Sequence, residues 1–242
     1  MNLTNFTIIN TISRAYSTEI LLVRKNGGED SGMFYAAKRV QKLGSKTRAH
    51  QYVQKEKQIL EAVRDGPFIN RYKYSFQDET EVVHILEFLP VEDLGKILQV
   101  RRFKEKEIKF YAAELVVAVE FLHSRGIIHR DLKPENVGLD SNGHIAIIDF
   151  GISKKTDPNE TLKRTFTICG TPGYIAPEIR NCSREGYDNA VDWYSMGACL
   201  YKLLTRDYAA DPEDRSEYPL EFPNGVSEEL QDLIIKLLRK NP

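Results

Sequence analysis

The densest polar run in the chain is His129-Arg130-Asp131-Leu132-Lys133-Pro134-Glu135-Asn136. A loop held at both ends can bring its Asp131, Lys133 and Asn136 to one point. A further carboxylate, Asp149, follows the apolar run IAII and precedes Phe150-Gly151, where glycine permits a sharp turn. Two carboxylates and an amide around one point suit a hard divalent cation such as Mg²⁺, which takes oxygen ligands and keeps water and phosphate in its shell. A carboxylate not engaged by the metal can accept a proton from an attacking hydroxyl. The alternative is a surface charge cluster capping a helix and a turn, the commoner fate of any single aspartate. The whole octapeptide taken with Asp149 favours chemistry.

Three elements must hold that loop. The run IKFYAAELVVAVEFLH repeats apolar residues at the helical period, and Gly126 stands just beyond its end as a stop. A hairpin is expected over Asn136–Ile148, with Asn142-Gly143 between VGL and IAII as a type I′ turn. VDWYSMGACLYKLL is apolar nearly all round, the mark of a buried helix. Asp192 opens it, a favourable charge at a helix N-terminus. The first third of the chain reads differently. FTIINTI, EILLVRK and MFYAAKRV are dense in β-branched and aromatic residues, with turn chemistry at Gly27-Gly28. A helix over Lys46–Val63 follows, then strands over Tyr72–Phe76 and Val82–Phe88. The pattern predicts an α+β chain, with a small β-rich part over 1–88 and a larger, mainly helical part over 89–242. Their joint falls near Glu87–Val91, and junctions of this kind favour ligands.

The β-rich part holds a second chemical oddity. In MFYAAKRV, strand alternation puts Phe34, Ala36, Lys38 and Val40 on one face. A lysine among small and apolar neighbours is unfavourable unless it meets an anion. In the following helix Val53, Glu56, Leu60 and Val63 share a stripe, so Glu56 sits on an apolar face. An ion pair between Lys38 and Glu56 resolves both oddities; the alternative is a Glu56 at the stripe's edge that reaches water.

Composition narrows the class. Lys+Arg total 34 against 35 Asp+Glu, a net charge of −1, so no global basic field exists to hold nucleic acid or an anionic membrane. Neither is expected as a partner. Hydrophobic residues at 41% and charged residues at 29% are ordinary for a globular chain. The 242 residues suffice for a sizeable core. Cys169, Cys182 and Cys199 fit neither a disulfide framework nor a zinc cluster and read as reduced intracellular thiols. MNLTNFTIIN lacks the basic and apolar stretches of a secretory signal, and no run approaches the roughly 18 apolar residues of a membrane span. An intracellular setting, cytoplasmic or nuclear, is expected.

HRDLKPEN over His129–Asn136, Asp149-Phe150-Gly151, and GTPGYIAPE over Gly170–Glu178 together resemble the signature set of eukaryotic protein kinases. The likeness runs in order along essentially the whole chain. RTFTICGTPGYIAPE and NAVDWYSMG are most similar to the AGC-type serine/threonine branch, which holds cyclic-AMP-dependent kinase and the N-terminal domains of the ribosomal-S6 and mitogen- and stress-activated kinases. The resemblance implies a two-lobed fold and the Mg²⁺-dependent transfer of the γ-phosphate of ATP to Ser or Thr of protein substrates. It implies Asp131 as catalytic base, Lys133 beside the γ-phosphate, and Asn136 and Asp149 as Mg²⁺ ligands. Lys38 would meet the α- and β-phosphates, oriented by Glu56. Adenine would lie against Ala36, with Leu86 at the back of its pocket and Glu87 to Leu89 supplying backbone hydrogen bonds. Asp93 would reach the ribose, and Asp192 would tie the catalytic loop's backbone. Glu135 and Thr171 match substrate-binding positions, and Glu135 with Asp93 implies a modest preference for arginine upstream of the phosphoacceptor. Thr167 stands where relatives carry a phosphothreonine placed by an upstream activating kinase. Arg130 and Lys154 are the cations implied to receive it, and Thr165 is its rival.

The resemblance also has gaps. The family's phosphate loop, G-x-G-x-x-G, corresponds here to Ile12-Ser13-Arg14-Ala15-Tyr16-Ser17-Thr18-Glu19-Ile20, with Ser13, Ala15 and Thr18 in place of the glycines. Glycine lets backbone come close to phosphate, so the loss bears on nucleotide affinity rather than on fold. After Leu204, RDYAADPEDRSEYPLE is shorter than the family's substrate-docking segment, and Gly173 stands at a usually acidic place. An arginine partner for Glu178 would fall beyond Pro242, so the sequence is expected to belong to a longer protein. Two readings stand: an active kinase, for which Lys38, Glu56, Asp131, Asn136 and Asp149 are all present, and a pseudokinase that serves as a binding or scaffolding module.

Overall fold

A computed structural model of the chain describes residues 2–15, 17–42, 46–156, 164–181, 186–209 and 219–239; of 46–54 it describes the backbone. The chain divides into two compact units, Met1–Asp65 with Asn70–Pro90, and Gly66–Ile69 with Val91–Pro242.

The first unit is an antiparallel sheet of β1 (Phe6–Arg14), β2 (Thr18–Lys25), β3 (Phe34–Gln41), β4 (Tyr72–Gln77) and β5 (Glu81–Glu87), ordered β1-β2-β3-β5-β4, with α1 (Lys46–Val63) between β3 and β4 in sequence. Strand alternation decides which side chains are enclosed. Tyr35 and Ala37 of β3 join Phe6, Leu21, Val23, Val83 and Ile85 in one apolar cluster, so the intervening Ala36 and Lys38 turn to the other face. On α1 the side chain of Val53 lies outside the described residues; of the rest of the stripe, Glu56, Leu60 and Val63 are buried with Ile59, while Lys55, Lys57 and Gln58 are exposed. Each enclosed aliphatic side chain contributes about 1.5–3 kcal/mol.

The second unit is mainly helical: α2 (Leu94–Val100), α3 (Glu105–Ser124), α4 (Pro177–Arg180), α5 (Ala190–Thr205) and α6 (Glu228–Leu237). Two small ribbons accompany them, β6 (Ile127–Ile128) with β9 (Lys154–Lys155), and β7 (Val137–Leu139) with β8 (Ile145–Ile147). The short α2 has no periodic pattern to betray it. It starts because Asp93 Oδ1 accepts from the Lys96 amide at 2.8 Å. Gly126 ends α3 at φ 67°, its amide reaching His123 O. Along α5 most residues are buried and none is exposed. At Gly197 a Cβ would stand 2.7 Å from Leu237 Cβ, so the glycine lets α6 approach. Within Gly66–Ile69, Phe68 O accepts from Ile147 N at 2.8 Å, which fastens that segment to β8.

The turn expected at Asn142-Gly143 is not type I′. That turn needs positive φ at both central residues, and only Gly143 has it, at 83°. The Asp140 carboxylate instead accepts from the amides of Asn142 (2.8 Å) and His144 (2.9 Å), closing a longer loop over 140–144. The segment after Leu204 lies largely outside the described residues, as does Cys182. Among the described residues no helix is long and apolar enough to cross a membrane.

Candidate active site

The loop after α3 takes its shape from Asp192, which is fully buried at the start of α5. Its Oδ2 accepts from the His129 amide and its Oδ1 from the Arg130 amide, both at 2.8 Å. His123 Nε2 lies 2.9 Å from the same Oδ2. The bonds hold Arg130 at φ 69°, a left-handed conformation a bare loop would avoid. The His129 ring packs edge-on against Phe150, and Ser153 Oγ donates to His129 O at 3.1 Å. Burial pushes the His129 imidazole below its usual value, against the pull of Asp192.

Three side chains meet at Asp131. Thr171 Oγ1 donates to its Oδ1 at 2.6 Å, and Asn136 Nδ2 donates to its Oδ2 at 3.0 Å and to its backbone oxygen at 2.8 Å. Lys133 Nζ stands 2.9 Å from Asp131 Oδ2 and donates to Thr171 Oγ1 at 2.6 Å. Thr171 thus bridges Asp131 and Lys133, a link that the residue types alone do not announce. Ile148 N donates to Asn136 O at 2.9 Å, which ties the segment entering Asp149 to Asn136. Asp149 sits at φ 63°, its Oδ1 accepting from Gly151 N at 3.1 Å. With Nδ2 of Asn136 turned to Asp131, its amide oxygen and the Asp149 carboxylate are oxygen donors of the kind a hard divalent cation takes. No cluster of three or more His, Cys, Asp or Glu suited to a metal occurs among the described residues. Two oxygens alone suit an ion that completes its shell with phosphate and water.

In the first unit Lys38 Nζ donates to Glu56 Oε1 at 2.7 Å, and the residues are 7% and 8% exposed. The ion pair is enclosed, and the reading in which Glu56 reaches water is excluded. Ala36 and Leu86 are direct cross-strand partners, and Glu87 pairs with Tyr35, its amide donating to Arg71 O at 2.9 Å. Leu89 is partly buried just beyond β5. Ile12 and Ser13 end β1 while Thr18 and Ile20 begin β2, with Ser13 opposite Ile20. Ala15 N donates to Thr18 O at 2.8 Å across the tip. Arg14 bonds Glu19 at 2.5 Å, and Arg39 links Glu19 to Glu81 at 2.9 and 2.7 Å. Beside Ser13, Ala15 and Thr18, which stand in place of the glycines, this hairpin carries a charged latch.

Past Gly151, Thr165 is 1% exposed and exchanges both backbone hydrogen bonds with Tyr187. Thr167 is exposed. Tyr187 Oη donates to Thr167 O at 2.5 Å and receives Arg130 Nη1 at 3.3 Å. Arg130 also donates through Nε and Nη2 to Ile152 O, and Lys154 Nζ to Arg164 O at 3.4 Å. Both implied cations therefore hold backbone oxygens of the segment that carries Thr167. Tyr187 is the residue sequence reasoning missed. Glu135 is exposed and fills the space beside Gly95, where a Cβ would meet its Cγ at 2.8 Å. Asp93 caps α2 through Oδ1. Glu178 Oε2 is buried without a hydrogen-bond partner among the described residues, and burial raises its carboxyl.

Comparison with known sequences gives one answer. The family model described as protein kinase domain matches residues 22–242. Ribosomal protein S6 kinase alpha-4 of Mus musculus is 38% identical over 252 residues, covering 98% of this chain and 32% of that protein. Ribosomal protein S6 kinase alpha-2 of Homo sapiens is 38% identical over 245 residues, 98% of this chain and 33% of that one. A putative ribosomal protein S6 kinase alpha-1 of Caenorhabditis elegans is 38% identical over 244 residues, 98% and 30%. The chain spans about a third of the length of these relatives.

Proposed function

This chain belongs to the protein kinase domain family, and we propose that it is an ATP-dependent serine/threonine protein kinase of the AGC type. The observation that carries the reading is the convergence on Asp131 of Thr171, Asn136 and Lys133 within 3.0 Å. A carboxylate so held is aimed rather than free to rotate, as a proton acceptor must be. In the proposed reaction Asp131 takes the proton of a substrate Ser or Thr hydroxyl as its oxygen forms a bond to the γ-phosphorus. The bond from that phosphorus to the β-phosphate oxygen breaks and ADP leaves. Lys133 offers its ammonium to the transferring group, and Lys38, steadied by Glu56, to the α- and β-phosphates. Asn136 and Asp149 would hold Mg²⁺, which when bound screens phosphate charge. Ala36, Leu86, the backbone of Glu87 to Leu89 and Asp93 would receive the nucleoside, and Glu135 the upstream arginine of a substrate. The setting is intracellular.

Activation is assigned to phosphorylation of Thr167 by an upstream kinase. Its exposure, against the enclosure of Thr165, supports that choice. The hairpin without glycines favours a second reading, a pseudokinase that binds partners without transferring phosphate. Transfer of radiolabelled γ-phosphate from ATP to Ser- and Thr-containing peptides, with Mg²⁺ and beside Asp131→Asn, decides between them. Label in the wild type and its loss in the variant support the kinase; equal label in both, or none in either, overturns it.

A further inference from the structure

His84 of β5 has no solvent exposure, and neither ring nitrogen has a hydrogen-bond partner among the described residues. It lies opposite Lys38 in the β3–β5 register and opposite Ser75 in the β4–β5 register. From α1, Glu56 Oε2 approaches its Nε2 at 3.9 Å while Glu56 Oε1 takes the 2.7 Å bond from Lys38. The Tyr72 ring stands edge-on with its centroid 6.5 Å away, its hydroxyl turned to Ser75 Oγ at 2.9 Å. One carboxylate therefore stands between an ammonium and an imidazole. The gap to the imidazole exceeds a charge-assisted hydrogen bond by about 1 Å. An apolar side chain would fill this interior position without leaving two polar atoms unpaired, so the histidine is unfavourable as packing alone.

We infer that His84 is a positioning residue for the Lys38–Glu56 pair: neutral, it leaves the carboxylate to Lys38, and protonated, it draws Glu56 toward itself and loosens Lys38. The inference rests on the reading of Lys38 as the phosphate-binding lysine. Among the described residues the charged groups around the ring are Glu56 and Lys57 from α1 and Lys38 from β3, with neutral Tyr72 and Ser75 from β4. Burial holds the imidazole below its usual value; Glu56 opposes the fall, and Lys38 and Lys57 add to it. Linkage is reciprocal: the Lys38 charge disfavours a proton on His84, so a proton on His84 disfavours Lys38 in place. At neutral pH the ring is uncharged and the Lys38 bond stands; acid starts the competition.

The test is a proton titration of the histidines in the isotope-labelled chain by NMR, with the His84 signal identified by its absence from His84→Met. His84 is expected to titrate below about 6.5, the value of a free imidazole. Its midpoint should move further down in Glu56→Gln and up in Lys38→Met. In parallel, KM for ATP should rise about fivefold from neutral to mildly acid pH in the wild type, the size of an ordinary coupling. His84→Met should flatten that rise, with His84→Leu as the second variant. A midpoint at the usual value, a midpoint indifferent to both charge substitutions, a ring that stays neutral until the chain unfolds, or an unchanged acid limb in the variants overturns the inference. If no phosphate is transferred at any pH, the kinase reading fails, while the NMR titration still decides whether His84 is coupled to the pair.

Discussion

Thr171 donates its hydroxyl to Asp131 Oδ1 at 2.6 Å, across forty residues of chain. That bond fixes the carboxylate's rotation and leaves its charge intact. Asp131→Asn should lower transfer by roughly 10²–10⁴, the usual contribution of a positioned proton acceptor. Thr171→Ala should cost about tenfold, since one hydrogen bond worth about 1–1.5 kcal/mol is lost while the base remains. Steady-state peptide phosphorylation beside thermal melts checks both, and unchanged turnover in Asp131→Asn would refute its role.

Lys38→Met leaves the Glu56 carboxylate enclosed without its ammonium. A buried charge stranded this way costs about 3–5 kcal/mol. The substitution should therefore weaken the fold as well as abolish transfer, a cost invisible while Lys38 is considered only as a nucleotide contact. Adding Glu56→Gln should recover much of the stability and none of the activity. Urea unfolding of the two variants and the wild type measures this, and a loss under about 1 kcal/mol in Lys38→Met, the range of an exposed pair, would contradict the burial argument.

The hairpin between β1 and β2 offers a gain of function. Replacing Ser13, Ala15 and Thr18 together by glycine removes the side chains that keep its backbone from a phosphate. ATP should bind about tenfold more tightly, equivalent to roughly 1.4 kcal/mol or one added backbone hydrogen bond. Calorimetry showing unchanged or weaker binding would remove the glycine argument.

Phosphorylation of Thr167 adds a charge of about −1.5 to −2 beside a segment already tied to Arg130 through Tyr187. The phosphorylated chain should exceed Thr167→Ala in activity by about 10- to 100-fold, the worth of one or two charge-assisted hydrogen bonds. Phosphatase treatment should erase the difference. Equal turnover of the two forms would show that Thr167 does not control the enzyme.

His144 gives a pH dependence of known sign. Its Nδ1 lies 2.5 Å from Glu114 Oε1, and that hydrogen bond raises the imidazole above its usual value. The contribution is complete below about pH 6.5, where the unfolded chain is also protonated, and is lost as pH rises through the raised folded value. His129, held low by burial, acts the other way: its stabilisation is present above about pH 6.5 and falls away in acid. The stability difference between wild type and His144→Gln should be largest in mild acid and vanish in alkali. Chemical unfolding across pH measures it, and a difference that grows toward alkali would reverse the assignment.

The parts legible in the sequence were those in which one unfavourable residue demands another. Lys38 and Glu56 each break an apolar pattern, and the pattern's period says where each side chain points. Helix α1 was legible for the same reason, since its stripe runs over several turns. Tyr187 was not, because its partners Thr165, Thr167 and Arg130 lie on separate segments and no spacing rule joins them. Helix α2 is too short to show a period, and Asp93 at its head reads equally as a ligand or a cap. At Asn142 the residue types matched a two-residue turn, yet the Asp140 carboxylate offered the amides a nearer acceptor.

Asp192 also bears on how the second unit reaches its native state. Its partners His123, His129 and Arg130 lie 69, 63 and 62 residues earlier in the chain. Closing loops of that length is entropically costly before any contact rewards it. The loop after α3 therefore lacks the acceptor for its His129 and Arg130 amides until Asp192 has been synthesised. A ribosome-bound chain that has exposed Asp131 but not Asp192 holds the right residues in an unshaped loop. Docking of α5 brings acceptors to both amides at once, since the two oxygens of one carboxylate take them.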